Sequence, residues 1–496
     1  MTPSCFSWSL APTALLSFSG WLAAQSTPAS PPSVAPDQKP EAKAEKAEPK
    51  AAAKADEPKP WRLAPALGLN DWFKVSGSQR VRYETLDNQF RFRNPNNNPP
   101  GQGFGDAEDD LALQTLVLLE AKGDGISGAL EILDARQYGI DATGFADTTL
   151  VDTFDALQAY VDLSLGELGG GKHRLRLGRE TVDLGGRRVM ARNQYRNTIN
   201  AFTGVDWLWT GDGQSLRAFW VLPVDRRPND FASIRNNEWE EDDQDLDLQF
   251  AGVFYSKSLD ERTTVETYVL GLDERGANTR RRELLTPGVR LFQPRKKGLT
   301  NFEIELIGQV GESKTSTATN QPLRDHVAGY ARLALGYTAD MAWQPTVELS
   351  WDYASGDQDP NDSENNRFDT LFGARRWDYG PTGVFGAVAR ANLNSPEVKV
   401  VLKTSSTTEL TFGVRGVWLA SERDTWTTAG LRDSSGRSGD NVGQQYEVRF
   451  RWDFVPRSVN FDIAAVYLAE GSFQDRASGN QGRDVTTAYA QCVWTF

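Results

Sequence analysis

Arginine residues alternate with apolar residues along several short stretches of this sequence. In SGSQRVRYET the arginines are Arg80 and Arg82, and KHRLRLG repeats the pattern with Arg174 and Arg176. The planar guanidinium group of arginine keeps its charge at any relevant pH and binds a carboxylate through two parallel hydrogen bonds. Rows of such groups are therefore suited to contact with anions, and above all with solutes that carry carboxylates.

Side chains on a β-strand point alternately to opposite faces, so each stretch has one charged and one apolar face. The clearest case is QQYEVRFRWDFVP, where apolar residues from Tyr446 to Phe454 alternate with charged ones. In a membrane β-barrel such apolar faces meet lipid and the polar faces meet a wet lumen. The residues predicted by this alternation to face the lumen are Arg80, Arg82, Arg174, Arg176, Arg217, Arg290, Arg332, Lys399, Arg415, Arg449 and Arg451.

The same arginines could instead pair with carboxylates across the lumen wall, because burying a charge of either sign alone is costly. The net charge of −13 does not decide the matter, since many acidic residues lie in predicted loops. Both interpretations stay open: an anion-binding surface and a lumen of balanced charge. The candidate partners are Glu84, Glu120, Glu131, Glu303, Glu305 and Glu348.

The elements that would position these residues are short strands joined by connections of alternating length. Short turns such as GDG (123–125) and VPRS (455–458) alternate with long polar segments, the longest from Ser355 to about Pro396. An outer-membrane barrel has an even strand number, short periplasmic turns and long extracellular loops. We therefore predict an all-β fold: a single transmembrane antiparallel up-and-down barrel over residues 71–496, in the outer membrane of a diderm cell. The eighteen strands are predicted to begin near 75, 110, 125, 154, 172, 203, 214, 244, 262, 287, 299, 327, 345, 396, 408, 441, 458 and 486.

The N-terminal region has the composition of processing and linker segments. Residues 1–25 contain the apolar run APTALLSFSGWLAA and are predicted to be a signal peptide. Residues 26–70 are rich in Pro, Ala, Lys and Glu, which predicts a disordered periplasmic tether that could contact export or cell-wall components. Of the two cysteines, Cys5 lies in the signal segment, and Cys492 is predicted to face lipid with Trp494.

The loop that follows the fifth strand is unusually basic. GRETVDLGGRRVMARNQYRN contains Arg187, Arg188, Arg192 and Arg196 within a segment that also contains glycine. A loop of this length could fold into the barrel and narrow it with cations, or it could form a basic outer surface. Periodicity does not place a loop, so both possibilities stay open.

Two stretches resemble the alginate export family of outer-membrane channels. Residues 175–207 are similar to the GRQ…G…R…FDGV region of that family, and residues 351–380 to its YASGD…D…FD.LF loop. The resemblance implies an eighteen-stranded barrel whose arginine-lined pore passes an anionic polyuronate. Matched motif positions are Gly178, Arg179, Gly185 and Arg188 in the first region, and Ser355, Gly356, Asp357, Asp359, Phe368, Asp369 and Phe372 in the second.

Together, the motif and the basic loop add Arg179, Arg188 and Arg192 to the predicted pore lining. The sequence departs from the family at one point. The well-known alginate exporter has a long periplasmic plug loop, whereas the corresponding turn here is only VPRS. This departure argues against gating by a plug.

Metal and catalytic motifs are weak. Asp357, Asp359 and Asn361 have the D-x-D-x-N spacing of calcium loops, but the sixth-position Gly and the distal Glu of an EF-hand are absent. We expect no metal or other cofactor, with calcium at Asp357–Asp362 as the lesser alternative. His173 and His326 lie in no zinc or nucleophile motif, so no catalytic residue is predicted.

The leading hypothesis is a porin-like channel for diffusion or export of anionic polysaccharide, uronate or other small anions. The expected partners are these solutes and outer-membrane lipid, with no nucleic acid. Two alternatives belong to other classes: a β-rich polysaccharide-processing enzyme, and a structural or adhesive barrel without a conducting pore.

Overall fold

The computed structural model of the protein describes residues 62–91, 107–141, 144–479 and 481–496. The predicted signal peptide and most of the predicted tether lie outside these residues. Within them, no helix is long and apolar enough to cross a membrane. Just before the first strand, Arg62 donates a 2.7 Å hydrogen bond from Nη2 to the carbonyl oxygen of Arg457, in a turn of the barrel.

Alternation of polar and apolar residues produces long strands with few helices between them. The helices are α1 (Leu63–Ala66), α2 (Phe231–Arg235), α3 (Arg376–Tyr379) and α4 (Ser472–Ala477). The strands are β1 (Phe73–Asp87), β2 (Glu108–Lys122), β3 (Ile126–Tyr138), β4 (Asp152–Leu168), β5 (Gly171–Glu180), β6 (Phe202–Gly211), β7 (Gln214–Pro223), β8 (Leu248–Ser258), β9 (Thr264–Glu274), β10 (Glu283–Gln293), β11 (Leu299–Ser313), β12 (Arg324–Thr338), β13 (Thr346–Ala354), β14 (Glu364–Asn365), β15 (Leu393–Leu402), β16 (Thr408–Trp418), β17 (Asn441–Val455), β18 (Val459–Glu470) and β19 (Val485–Thr495).

Eighteen of these strands form a closed antiparallel barrel. Each pairs with its neighbour in sequence, except that β13 pairs with β15 because β14 lies in the intervening loop and pairs in parallel with β12. Closure comes from β1, which pairs with both β2 and β19, with Ser78 opposite Thr495. The predicted fold is confirmed. The largest differences in strand start are four residues, at β8 (predicted near 244, observed at Leu248) and β10 (near 287, observed at Glu283).

Connections of different length segregate to the two ends of the barrel. The turns at 123–125, 169–170, 212–213 and 456–458 lie at one end, called here the turn end. Long connections such as 181–201, 224–247, 355–392 and 419–440 lie at the other, called the loop end. Because the strand number is even, both chain ends reach the turn end.

The two faces of the wall differ as the alternation predicts. On β17, Tyr446, Val448 and Trp452 are 41%, 41% and 37% exposed, although they are large and apolar. Aromatic rings gather on this outer face near the turn end, where the ring centroids of Trp452 and Phe454 are 4.8 Å apart. Such an exposed apolar band with an aromatic rim is the surface that lipid covers.

Two long connections fold into the barrel and fill much of its loop end. They are named inner loop 1 (residues 181–201) and inner loop 2 (residues 355–392), and most of their residues are buried. They join through short backbone pairing: Phe372 donates from its backbone N to Val189 O at 3.0 Å, and Ala191 donates to Phe372 O at 3.2 Å. Of the two positions left open for the basic loop, the structure shows the inward one.

Candidate functional site

Ion pairing dominates the predicted arginine set. Within the described part of the chain, twelve of its thirteen arginines form a salt bridge with a carboxylate, and the exception is Arg80. The partners include predicted ones, as in Arg82–Glu84, Arg192–Glu131 and Arg188–Glu303. The lumen wall is therefore a surface of balanced charge along much of its length.

Near the turn end these pairs line the wall and stay partly exposed. Arg176 binds Asp162 through two hydrogen bonds of 2.7 Å and stacks 3.5 Å from the centroid of the Tyr160 ring. Asp206 accepts from both Arg174 (2.7 Å) and Arg217 (2.6 Å). The side chains of Arg174 and Arg451 are 31% and 28% exposed. Solutes in the lumen can reach these groups. The remaining wall pairs are Arg290 with Glu266, Arg449 with Asp462, and Arg451 with Glu409.

Farther in, a buried group named the central ion cluster joins the inner loops to the wall. Arg188 of inner loop 1 donates to Glu303 at 2.8 Å, to Asp378 of inner loop 2 at 3.1 Å, and also to Glu305. The cluster contains four cations and four anions, so it offers no net charge to a passing solute. Its members are Arg188, Glu303, Glu305, Arg332, Asp352, Asp378, Arg390 and Arg415.

Arg80 and Arg82 hold inner loop 1 in place. Arg80 donates to the backbone oxygens of Gln194 (2.9 Å) and Arg196 (2.7 Å), and Arg82 donates to that of Tyr195 (2.6 Å). Both side chains are almost fully buried, at 4% and 0% exposed. Their guanidinium groups face inward as predicted, but most of their terminal nitrogens already donate hydrogen bonds to inner loop 1.

Arg179 does not share the inward face with its neighbours. On β5 it is one residue out of phase with Arg174 and Arg176, and it lies opposite Ala159 on the outer face of β4. Its Nη1 is 3.1 Å from Asp155. The prediction that Arg179 lines the pore is therefore wrong. It came from motif matching, which does not track strand phase.

The second motif anchors inner loop 2. Asp369 accepts from Arg280 (2.6 Å) and Arg282 (3.2 Å), while Phe368 is buried 5.5 Å from the ring of Tyr330. The hydroxyl of Ser355 accepts from the backbone N of Gly329 at 2.9 Å. Gly356 packs closely on the side chain of Asn392, and Asp357 is buried beside Arg432.

In the loop considered as the lesser, calcium-binding alternative, two carboxylates accept hydrogen bonds from the backbone of their own turn. Asp359 accepts from the N–H of Asn361 at 3.0 Å, and Asp362 from that of Glu364 at 2.9 Å. These bonds stabilise a polar turn at the loop end.

A different set of arginines forms a cluster without carboxylate pairing. Named the four-arginine cluster, it comprises Arg91, Arg196, Arg226 and Arg375, from four different connections. Across the described residues none of the four has a carboxylate within 4.0 Å, and all are partly exposed. The cluster lies at the loop end, where inner loops 1 and 2 meet the β1–β2 and β7–β8 connections.

Hydrogen bonds to neutral oxygens hold these four side chains. Arg91 donates to the carbonyl oxygen of Gly383 at 3.2 Å and lies 3.7 Å from the centroid of the Phe145 ring. Arg226 donates to the side-chain oxygen of Asn200 at 2.8 Å. A Cβ placed on Gly386 would lie 3.6 Å from Nη2 of Arg375 and 3.7 Å from Nη2 of Arg91, so these two groups converge there.

The cluster is electrostatically strained. Burial, followed by the charges of Arg226 and Arg375, lowers the pKa of Arg196 to about 9. Burial also lowers the pKa of Arg91 to about 10, although the nearby carboxylates of Glu108 and Asp147 act in the opposite direction. An anion placed near a cation with a lowered pKa stabilises the charged form of that cation.

A family model described as "Alginate export" matches residues 75–488, which is almost the whole barrel. The chain belongs to the alginate export family. It is an outer-membrane β-barrel channel of a Gram-negative cell, and its family and fold are those of transport channels. No curated protein shows significant sequence similarity to it.

Solved structures share the fold at low sequence identity. OccAB1 of Acinetobacter baumannii matches with a TM-score of 0.55 and 12% identity, covering 89% of this chain and 99% of its own. OccK8 (OprE) of Pseudomonas aeruginosa matches with a TM-score of 0.53 and 11% identity, and the match covers 86% of this chain and 98% of OccK8. OccK2 (OpdF) of the same organism was solved in complex with glucuronate. It matches with a TM-score of 0.51 and 11% identity, and the match covers 86% of this chain and 96% of OccK2.

The four-arginine cluster was missed because strand alternation says nothing about loops. Arg196 was noted within the basic loop, but Arg91, Arg226 and Arg375 lie in separate segments that only the folded barrel brings together. One signal is present in the sequence: Arg91, Arg226 and Arg375 each have a second arginine one or two positions away, in FRFR, DRRP and ARRW, inside a long connection.

Proposed function

We propose that this channel passes carboxylate-bearing solutes, with uronates and anionic oligosaccharides as the substrate class. The four-arginine cluster binds the carboxylate. The observation that carries the proposal is a group of four partly exposed arginines at the loop end, none of which has a carboxylate within 4.0 Å among the described residues. We assign the protein passage of solute and no catalytic step.

Binding follows from the chemistry of the cluster. A carboxylate can accept two parallel hydrogen bonds from one guanidinium group, and a charge-assisted bond is about twice as strong as a neutral one. Partial burial strengthens the attraction, because unit charges 4 Å apart gain about 4 kcal/mol at an effective dielectric of 20 and about 1 kcal/mol in water. The same groups repel cations, which favours anion selectivity.

The wall pairs near the turn end provide the next contacts. Arg174 and Arg451 keep partly exposed guanidinium groups while paired with Asp206 and Glu409. A carboxylate that leaves the four-arginine cluster can exchange with these weaker sites. Glucuronate in the OccK2 structure has the chemical character expected of such a solute.

Block of single-channel current by oligogalacturonate tests the proposal. We expect oligogalacturonate to block the wild-type channel more strongly than maltooligosaccharide of equal length. Arg196→Gln combined with Arg375→Gln should weaken that block at least tenfold, since each lost charge-assisted bond is worth roughly 1.5–3 kcal/mol. Arg423→Gln combined with Arg437→Gln removes two charges from exposed loop positions, so it is the control for charge alone and should leave the block unchanged.

Three outcomes would count against the proposal. Equal block by charged and neutral oligosaccharides would remove the carboxylate specificity. An unchanged block in the double variant would show that the carboxylate binds somewhere other than the four-arginine cluster. A barrel that inserts into the bilayer but gives no current steps would favour the structural or adhesive alternative.

A further inference from the structure

The connection between β7 and β8 (residues 224–247) folds as a flap over the start of β4. Its two ends pair through Asp225 and Asp243, whose backbones exchange hydrogen bonds of 2.8 and 3.0 Å. It is tied to β4 by Thr153, whose hydroxyl donates to the carbonyl oxygen of Glu238 at 3.2 Å. This arrangement brings Asp242 of the flap against the wall.

Three carboxylates meet at this junction. One oxygen from each of Asp152, Asp155 and Asp242 lies within 4.8 Å of the other two. Asp152 is only 2% exposed, and its buried Oδ2 has no hydrogen-bond partner among the residues that the structure describes. A carboxylate oxygen shielded from water and left without a donor is costly, and a native protein normally provides a partner for it.

The neighbouring cations do not fill this role. Arg179 pairs with Asp155 at 3.1 Å, and Arg226 directs its hydrogen bonds to Thr148 and Asn200. Asp242 accepts a backbone N–H from Arg227 at 2.8 Å. Three negative charges therefore face one guanidinium group in direct contact.

We propose that Asp152, Asp155 and Asp242 bind a divalent cation, and that the cation is Ca²⁺. Ca²⁺ takes oxygen ligands in irregular geometry and completes its shell with water, whereas Mg²⁺ demands a near-ideal octahedron. Zn²⁺ sites in proteins are usually built from histidine nitrogen and cysteine sulfur, and this site offers three carboxylates instead. The bound ion clamps the flap onto β4 and supplies the missing partner of Asp152. The proposed ligands differ from the four arginines assigned to solute binding, although Arg226 lies in the same flap.

Titration calorimetry on protein refolded without lipopolysaccharide, which itself binds divalent cations, tests the site. After EDTA treatment we expect one Ca²⁺ per chain, with a Kd of about 10⁻⁴–10⁻³ M, as in extracellular calcium modules. Asp242→Asn should weaken binding at least tenfold. Asp247→Asn is the matched control, because it removes the same charge from an exposed position in the same flap.

A second measurement uses the wild-type chain alone. Ca²⁺ should slow tryptic cleavage within residues 224–247, where Arg235 is available, and Mg²⁺ should do so far less. Absence of binding up to about 10 mM Ca²⁺, ten times the upper end of that range, would overturn the proposal. Equal binding by wild type and by a folded Asp242→Asn variant would also overturn it, since the ion would then sit elsewhere.

Discussion

At the scale of single residues, the lumen shows how a barrel can contain many arginines without a large net charge. Arg188 is the extreme case, because its buried guanidinium group serves Glu303, Glu305 and Asp378 at once. Breaking a buried ion pair from one side leaves charge without compensation, whereas exposed pairs contribute little. Arginines that look equivalent in the sequence should therefore differ greatly in their contribution to stability.

Arg188→Gln tests this difference. We expect it to lower the free energy of unfolding by about 3–5 kcal/mol, because three carboxylates lose their shared cation. Arg451→Gln, whose side chain is 28% exposed, should cost about 1 kcal/mol or less. Urea unfolding of the refolded barrel, followed by tryptophan fluorescence, measures both. Equal losses in the two variants would show that burial does not set the strength of these pairs.

At the scale of elements, the second family motif shapes inner loop 2 more than it touches solute. Gly356 shows why a small residue is required there. A Cβ at this position would lie 1.9 Å from Oδ1 of Asn392. That oxygen accepts from the backbone N of Ser421 at 2.7 Å, and Nδ2 of the same side chain donates to Ser421 O at 3.1 Å. Asn392 therefore cannot withdraw without losing these bonds.

Gly356→Ala should lower the free energy of unfolding by about 1–3 kcal/mol, the usual cost of overpacking. It should also increase the noise of the single-channel current, because inner loop 2 loses its close packing between Gly356 and Asn392 and becomes more mobile. Gly271→Ala is the control: a Cβ there meets nothing within 4 Å, and its effect should stay within about 0.5 kcal/mol. A quiet, fully stable Gly356→Ala channel would contradict this role for the motif.

Strands could be predicted from the sequence and the placement of loops could not, for one physical reason. Alternation is local, so the inward phase of Arg332 or Arg449 can be deduced from adjacent residues. Pairing is not local: Arg188 and Asp378 are 190 residues apart and meet only because two loops fold into the same lumen. The four-arginine cluster depends on four such segments, so the closely spaced arginines in each connection do not show that the segments meet.

At the scale of the whole molecule, the barrel is a wall with lipid on one face and charge on the other. Cys492 lies opposite Val81, which is 41% exposed on the outer face. Arg451 lies on the inner face, near the same end. Position 492 therefore reports on the lipid outside the barrel, and position 451 reports on the water in the lumen.

A water-soluble maleimide should label Cys492 slowly in liposomes, because the lipid excludes it. Arg451→Cys in a Cys492→Ser background should react much faster from the lumen. Denatured samples, in which both thiols are accessible, give the reference rate. Rapid labelling of Cys492 in the folded barrel would mean that this side chain faces the lumen and that the assignment of the two faces of β19 is wrong.

Anion selectivity is the central property that the arrangement of charges predicts. The wall pairs and the central ion cluster contain matched charges. If solutes pass the four-arginine cluster, as we propose, its positive charge should favour anions. Screening should modulate the effect, because the Debye length grows from about 3 Å at 1 M salt to about 10 Å at 0.1 M.

The reversal potential of the refolded wild-type barrel in a KCl gradient measures this property most directly. We expect preference for Cl⁻ over K⁺, weak at 1 M salt and stronger at 0.1 M, as screening falls. Preference for K⁺ at both salt concentrations would contradict the account, because a lumen that attracts cations cannot be governed by the four-arginine cluster.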